Sequence, residues 1–129
     1  MVISDEKLNR RLENKALSYL ARFASSEANL RQVLIRFGRR KCWPKDGDKD
    51  EEPAFLIQLN QAIDRLVIRY ARLGYVDDAA YANARARGMR VRGTSGRHIS
   101  HYLKAKGVNG DVISQTMDDD NIGSMDAET

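Results

Sequence analysis

Residues 26–38, SEANLRQVLIRFG, and residues 95–107, SGRHISHYLKAKG, carry the same pattern 69 positions apart. Each copy begins with serine, continues with apolar residues at i, i+3 and i+4, and ends with glycine. Serine favours the start of a helix, and glycine favours its C-terminal end. The pattern therefore predicts an amphipathic helix present twice, with Leu30 and Leu34 equivalent to Ile99 and Leu103 in the core.

The segments around the two copies also have helical periodicity, so we predict an all-α fold of about six helices. Residues 39–50 are the exception, and we expect them to form an exposed loop. The predicted helices run from Ser4 to about Phe23, Ser26 to Gly38, Glu52 to Gly74, Asp78 to about Val91, Ser95 to Lys106, and Asp111 to Met117.

These helices are expected to form an elongated array of two tandem three-helix repeats. We predict the first repeat at residues 1–75, with an inserted loop at about 39–52, and the second at residues 76–117. Residues 118–129 are acidic and contain glycine and serine, so we expect a disordered tail there. Helical repeats are typical of binding surfaces rather than catalytic pockets.

Composition limits the class of protein further. Charged residues make up 31% of the 129 residues, and only two prolines and nine glycines interrupt the chain, as in a soluble helical protein. No apolar run approaches the ~20 residues of a membrane-spanning helix. The single cysteine excludes an internal disulfide framework and favours a reducing compartment. We therefore expect a cytoplasmic monomer.

Positive charge is concentrated before the acidic tail. The whole chain is +4, but residues 1–117 carry 22 basic and 13 acidic side chains, which gives +9. Residues 79–110 contain seven basic residues and no acidic one. A field of one sign attracts polyanions, so nucleic acid, or a protein bound along nucleic acid, is the leading class of partner. The alternative is a basic surface that serves only solubility.

The sequence contains no constellation of residues for catalysis or metal binding. His98 and His101 are the only histidines, and no cysteine or carboxylate lies near them in sequence to complete a zinc site. Cys42 follows three basic residues but has no identifiable catalytic base. No glycine-rich phosphate loop is present. We therefore predict a non-enzymatic protein without a cofactor or metal.

The charged faces of the helices indicate where a partner would bind. On the helix at 95–106, Arg97, His101 and Lys104 lie opposite the apolar stripe. The corresponding positions of the first copy, Ala28, Gln32 and Ile35, carry no basic side chain. A second basic stripe lies on the helix at 52–74. The candidate contact residues are Arg97, His101, Lys104, Arg87, Arg90 and Arg92 in the acid-free stretch, and Arg65, Arg69 and Arg72 in the second stripe.

Two other side chains are expected to serve packing instead. Arg85 stacks in helical register between Tyr81 and Met89, so we expect it to lie within the packing between helices. For Trp43 we favour a position that covers an edge of the core, the alternative being stacking on a nucleic-acid base or on a patch of a partner protein.

Several motifs resemble the RecX family, whose members regulate the RecA recombinase. The resemblance rests on residues 16–26 (ALSYLARFASS) with Leu30, Leu34 and Gly38, on residues 73–78 (LGYVDD) with Tyr81 and Ala82, and on Ile99, Leu103 and residues 104–108 (KAKGV). Together these motifs are fairly specific, and ASSEANL at 24–30 is similar to the alphaproteobacterial branch.

The resemblance implies a fold of tandem three-helix repeats that lies in the groove of a RecA–DNA filament. It implies inhibition of ATP hydrolysis, strand exchange and co-protease activity, and hence roles in DNA repair, recombination and the SOS response. Members of the family usually carry three repeats, one more than the two predicted in this sequence. Two other functions stay open: a direct DNA-binding module, and an adaptor that recognises an acidic protein.

Overall fold

The computed structural model describes residues 3–128, with side chains through Asp119. The described residues contain six α-helices and no strand, which confirms the predicted all-α fold. The helices are α1 (Asp5–Leu20), α2 (Glu27–Phe37), α3 (Glu52–Arg72), α4 (Asp78–Val91), α5 (Gly96–Ala105) and α6 (Gly110–Glu128).

Polar side chains cap the starts of the helices where the sequence predicted them. The Ser26 hydroxyl accepts a hydrogen bond from the backbone N–H of Asn29 at 3.0 Å, and the Ser95 hydroxyl accepts one from His98 at 3.3 Å. Ser4 and Asp77 cap α1 and α4 in the same way. Each cap satisfies a backbone donor that has no partner inside its helix, which fixes the residue at which the helix begins.

Glycine ends three of the helices, but it does not end α2, whose last residue is Phe37. Gly74, Gly93 and Gly107 follow α3, α4 and α5 with φ between 78° and 83°, a conformation that only glycine adopts readily. The predicted stop at Gly38 is wrong, because the backbone continues as a π-helical turn over Gly38–Cys42. Gly38 is buried against α3, where an added Cβ would clash with the side chain of Leu59. Its role is therefore close packing.

The exposed loop predicted at residues 39–50 is also shorter than expected. The π-helical turn buries Cys42, and a single 3₁₀ turn at Lys49–Glu51 precedes α3. Trp43 packs against Phe55 with their ring centroids 5.0 Å apart, which confirms that it covers an edge of the core. Only residues 43–48 lack helical structure in this connection.

The chain forms two compact units. Unit 1 comprises the residues up to Phe23 together with Leu30–Val76, and unit 2 comprises Ala24–Asn29 together with the residues from Asp77 onward. The core of unit 1 is formed by apolar faces of α1, α2 and α3, and that of unit 2 by α4, α5 and α6. The repeated positions are fully buried as predicted, in unit 1 for Leu30 and Leu34, and in unit 2 for Ile99 and Leu103.

The last helix extends beyond the predicted packing segment. The side chain of Asn109 accepts a hydrogen bond from the N–H of Asp111 at 2.8 Å. Thr116, further along α6, is buried within unit 2. The backbone then continues as helix to Glu128, where the sequence predicted a disordered tail from about Asp118. Once a helix has formed, each added residue gains one hydrogen bond, so extension needs no tertiary contact. The side chains after Asp119, and all of Thr129, lie outside the described residues.

Candidate partner-binding surfaces

The basic face of α5 is held in place by the core of unit 2. Ile99 and Leu103 are fully buried, and these two anchors fix the rotation of the helix about its axis. Arg97, His101 and Lys104 are all exposed. Their spacing at i, i+4 and i+7 places them on one face of the helix, away from the anchors. The structure thus presents these three side chains together to solvent.

The arginines at the end of α4 differ from one another. Arg87 and Arg92 are exposed, and Arg92 is the C-terminal residue that caps α4. The guanidinium of Arg90 lies close to the first turn of α5, with Nη2 about 3.1 Å from the position of a Cβ on Gly96. Arg90 is exposed like Arg87 and Arg92, and its guanidinium in addition lies against the first turn of α5.

Arg85 occupies the packing position that the sequence predicted. Its guanidinium carbon lies 5.7 Å from the ring centroid of Tyr81 and 5.9 Å from that of Tyr102. A cation held over aromatic faces is stabilised by their quadrupoles. Burial raises the pKa of the Tyr81 phenol, and the contact with Tyr102 raises it further. Arg85 thus connects α4 to α5 through two tyrosines.

The basic stripe of α3 in unit 1 is partly committed to the fold. Arg69 forms an ion pair with Glu13 of α1, and its guanidinium lies 5.6 Å from the ring centroid of Tyr70. The hydrogen bond that Arg69 donates to the Glu13 carboxylate raises the pKa of Arg69. Arg65 and Arg72 are exposed. In this stripe Arg69 is therefore engaged in contacts within unit 1, whereas Arg65 and Arg72 remain exposed cations.

A third basic surface lies on α1 and was not identified from the sequence. Lys7, Arg11 and Lys15 recur at intervals of four residues, so they share one face of the helix. The signal was present in this spacing, but Glu6 and Glu13 alternate with the bases and hide it in the linear sequence.

No group of three or more potential metal ligands occurs among the residues that the structure describes. In the same residues, no helix has both the length and the hydropathy needed to span a membrane.

Comparison with known proteins points to one family. Residues 77–117 match the model of the second three-helix domain of RecX. Over 108 residues, 84% of this chain, the sequence is 34% identical to the regulatory protein RecX of Myxococcus xanthus (strain DK1622). Over most of its length the chain is similar to the RecX family. It spans 54% of the length of that relative, or about half. No solved structure matches the chain.

The RecX match places six of the nine candidate contacts within a characteristic domain of the family. Residues 77–117 include α4, α5 and the start of α6. All the candidate residues of unit 2 lie in this range, whereas the stripe of α3 lies outside it. The family resemblance inferred from the LGYVDD and KAKGV motifs is confirmed.

Proposed function

We propose that this chain is a non-enzymatic modulator of RecA that binds the RecA–DNA filament and inhibits its recombinase, ATPase and co-protease activities. We place this interaction in the cytoplasm and take the chain to act as a monomer. The observation that carries the proposal is the RecX match over α4 and α5, because it falls on the part of the chain that exposes the basic face.

Electrostatics supports a polyanionic partner for unit 2. Residues 79–110 carry seven basic side chains without an acidic one, so their field is not cancelled locally. Phosphates along DNA attract such a field at long range, and the attraction weakens as salt is added. Arg97 and Lys104 lie on a helix whose rotation is fixed by buried Ile99 and Leu103. The backbone that carries them therefore loses little conformational freedom when they bind.

Inhibition requires more than binding. A ligand shifts an equilibrium only by the difference in its affinity for the two states. The chain must therefore bind a filament arrangement that does not hydrolyse ATP more tightly than the active one. A tenfold preference, about 1.4 kcal/mol, would shift the ratio of the two arrangements tenfold.

The experiment that tests the proposal removes the basic face without disturbing the core. The variant Arg97→Ala/Lys104→Ala should keep its fold, because exposed substitutions typically change stability by only about 0.5 kcal/mol each. Its inhibition of the DNA-dependent ATPase of RecA should require a higher concentration of protein. If both side chains contact phosphates of duplex DNA, the dependence of log affinity on log salt should flatten by about two. Circular dichroism and thermal melting verify the fold.

The matched control is Arg65→Ala/Arg72→Ala, which removes the same charge from exposed positions of α3. Ala28 and Ile35, which correspond to face positions of the first copy, are unsuitable controls. Ala28 packs against Gly107, and Ile35 packs against the core of unit 1. Undiminished inhibition by the folded Arg97→Ala/Lys104→Ala variant would place the contact elsewhere. A loss confined to the control would move it to α3.

Direct DNA binding is the second candidate function, and the observation that favours it is the presence of basic surfaces on both units. A DNA-binding module would bind naked duplex as tightly as a RecA filament and would lose affinity steeply with salt. A filament regulator would prefer the filament over the same DNA without RecA. Comparing the two affinities separates these functions.

A further inference from the structure

One face of α1 consists entirely of cations and neutral hydrogen-bonding residues. The spacing of three and four residues brings these side chains into one row along the helix. The residues of the row are Ser4, Lys7, Arg11, Asn14, Lys15 and Ser18. Four residues of helix correspond to about 6 Å along its axis, so the three cations follow one another at roughly that spacing.

The carboxylates of α1 lie away from this row. Asp5 accepts a hydrogen bond from the side chain of Gln58 at 2.8 Å, and Glu13 is paired with Arg69. Glu6 precedes Lys7 and so lies about 100° around the helix from it. Among the described residues, no carboxylate forms an ion pair with the cations of the row. The row therefore keeps its positive charge.

The row forms one wall of a groove in unit 1. One part of the groove, about 390 Å³ in volume, is lined by Lys7 and Arg11 on one side and by Lys41 and Trp43 on the other. A second part, about 300 Å³, is lined by Arg11 and by Phe37. Arg11 belongs to both parts, so the two are adjacent. We call this feature, with its residues Lys7, Arg11, Lys15, Lys41, Phe37 and Trp43, the α1 groove.

Aromatic and thiol groups order the α1 groove without adding an anion. The charged groups of Arg11 and Lys15 lie 6.0 and 5.7 Å from the ring centroid of Phe37, which limits their freedom before any ligand arrives. Burial raises the pKa of the Cys42 thiol, although Arg11 opposes the effect, so the thiol is neutral at physiological pH. The charged side chains that line the groove are therefore all cations.

The position of Trp43 indicates which part of a nucleic acid would enter. Phe55 packs against one side of its ring, and Gly47 approaches so closely that an added Cβ would lie 2.7 Å from the ring. Contacts within unit 1 therefore hold the indole in place, and it stays half-buried where it lines the groove. The cations beside it are the groups that would attract a nucleic acid.

We propose that the α1 groove binds the phosphodiester backbone of nucleic acid, without reading its sequence, as a contact separate from the basic face of unit 2. Lys7, Arg11 and Lys41 would neutralise successive phosphates, while Ser4 and Asn14 would donate hydrogen bonds to phosphate oxygens. This binding needs no RecA, so it goes beyond the proposed function and stands or falls without it.

The test measures binding of the full chain to short fluorescently labelled oligothymidylate in the absence of RecA. The variant Lys7→Gln/Arg11→Gln/Lys41→Gln should bind at least about tenfold more weakly at about 50 mM salt, and its salt slope should flatten by about two. The control Arg22→Gln/Arg36→Gln/Lys49→Gln removes the same charge from exposed positions of unit 1 that neither line the groove nor belong to the candidate contacts, and it should bind almost like the parent chain.

Trp43 supplies a second readout, because it lines the groove and is the only tryptophan in the chain. Its emission should change when oligothymidylate binds to the parent chain and should not change with the groove variant. If the triple variant fails to fold, Lys7→Gln/Lys41→Gln, which changes only exposed side chains, takes its place. Lys7→Arg/Lys41→Arg should retain binding.

Three results would overturn the proposal. Unchanged affinity in the groove variant would place the nucleic-acid contact elsewhere. Equal losses in the groove variant and in the control would show that net charge alone determines binding. Equally tight binding of poly-glutamate, lost in the same variant, would identify the occupant as an acidic protein rather than a nucleic acid.

Discussion

Gly107 allows two physical costs to be separated by mutation. It follows α5 with φ of 81°, and an added Cβ would lie 2.5 Å from the Cβ of Ala28. Gly93 follows α4 with φ of 83°, but nothing lies within 4 Å of its added Cβ. The two glycines therefore share a left-handed backbone and differ in the space around them, and both belong to unit 2.

The expected magnitudes follow from this difference. A side chain in the left-handed conformation costs roughly 1–2 kcal/mol, which is the full cost expected for Gly93→Ala. In Gly107→Ala the methyl group also meets Ala28, and overpacking of this kind adds about 1–3 kcal/mol. We expect Gly107→Ala to lower the free energy of unfolding by about 2–5 kcal/mol, clearly more than Gly93→Ala.

Urea denaturation of the two variants, followed by circular dichroism, measures the costs. Adding Ala28→Gly removes the methyl group that Gly107→Ala meets, so the double variant should recover at least about 1 kcal/mol relative to additivity. Ala28→Gly alone should cost about 1 kcal/mol through helix propensity. Equal losses for Gly93→Ala and Gly107→Ala, with no coupling to position 28, would refute the packing of Gly107 against Ala28.

Three further predictions concern the cores, the buried tyrosine and the tail. Leu34→Ala and Leu103→Ala should each lower the free energy of unfolding by about 2–5 kcal/mol in chemical denaturation, and losses below about 1 kcal/mol at both sites would contradict the paired repeat positions. The pKa of the Tyr81 phenol is higher in the folded chain than in the unfolded chain, so its contribution to stability is complete below the unfolded-state pKa of about 10 and is lost as the pH rises through the folded-state pKa. Tyr81→Phe should therefore reduce the loss of stability above about pH 10. Identical alkaline denaturation curves would argue against that role. Deletion of residues 118–129 should leave the melting temperature nearly unchanged and slightly strengthen polyanion binding at low salt, whereas a marked loss of helicity would show that the segment supports the fold.

Local signals in the sequence predicted most of the fold. Ser26 and Ser95 cap helices where expected, because capping depends on a side chain and the backbone only a few residues away. Gly107 ends α5 for the same local reason, since its φ is positive. Gly38 has the same position in the pattern but a different role, because its packing against Leu59 depends on how α2 meets α3.

The candidate surfaces were predicted less completely, for a related reason. Helical phase alone placed Arg97, His101 and Lys104 on an exposed face of α5. The pairing of Arg69 with Glu13 joins residues 56 positions apart, so only the packing of α1 with α3 reveals it. The α1 groove depends in the same way on the π-helical turn that brings Lys41 to α1.

The most direct test of the central claim is a titration of the labelled chain against RecA–DNA filament, RecA alone and the same DNA alone, at one salt concentration. The proposed function predicts binding to the filament at least about tenfold tighter than to either component, a preference of about 1.4 kcal/mol or more. Equal affinity for the filament and for naked DNA would contradict it and identify the chain as a direct DNA-binding module.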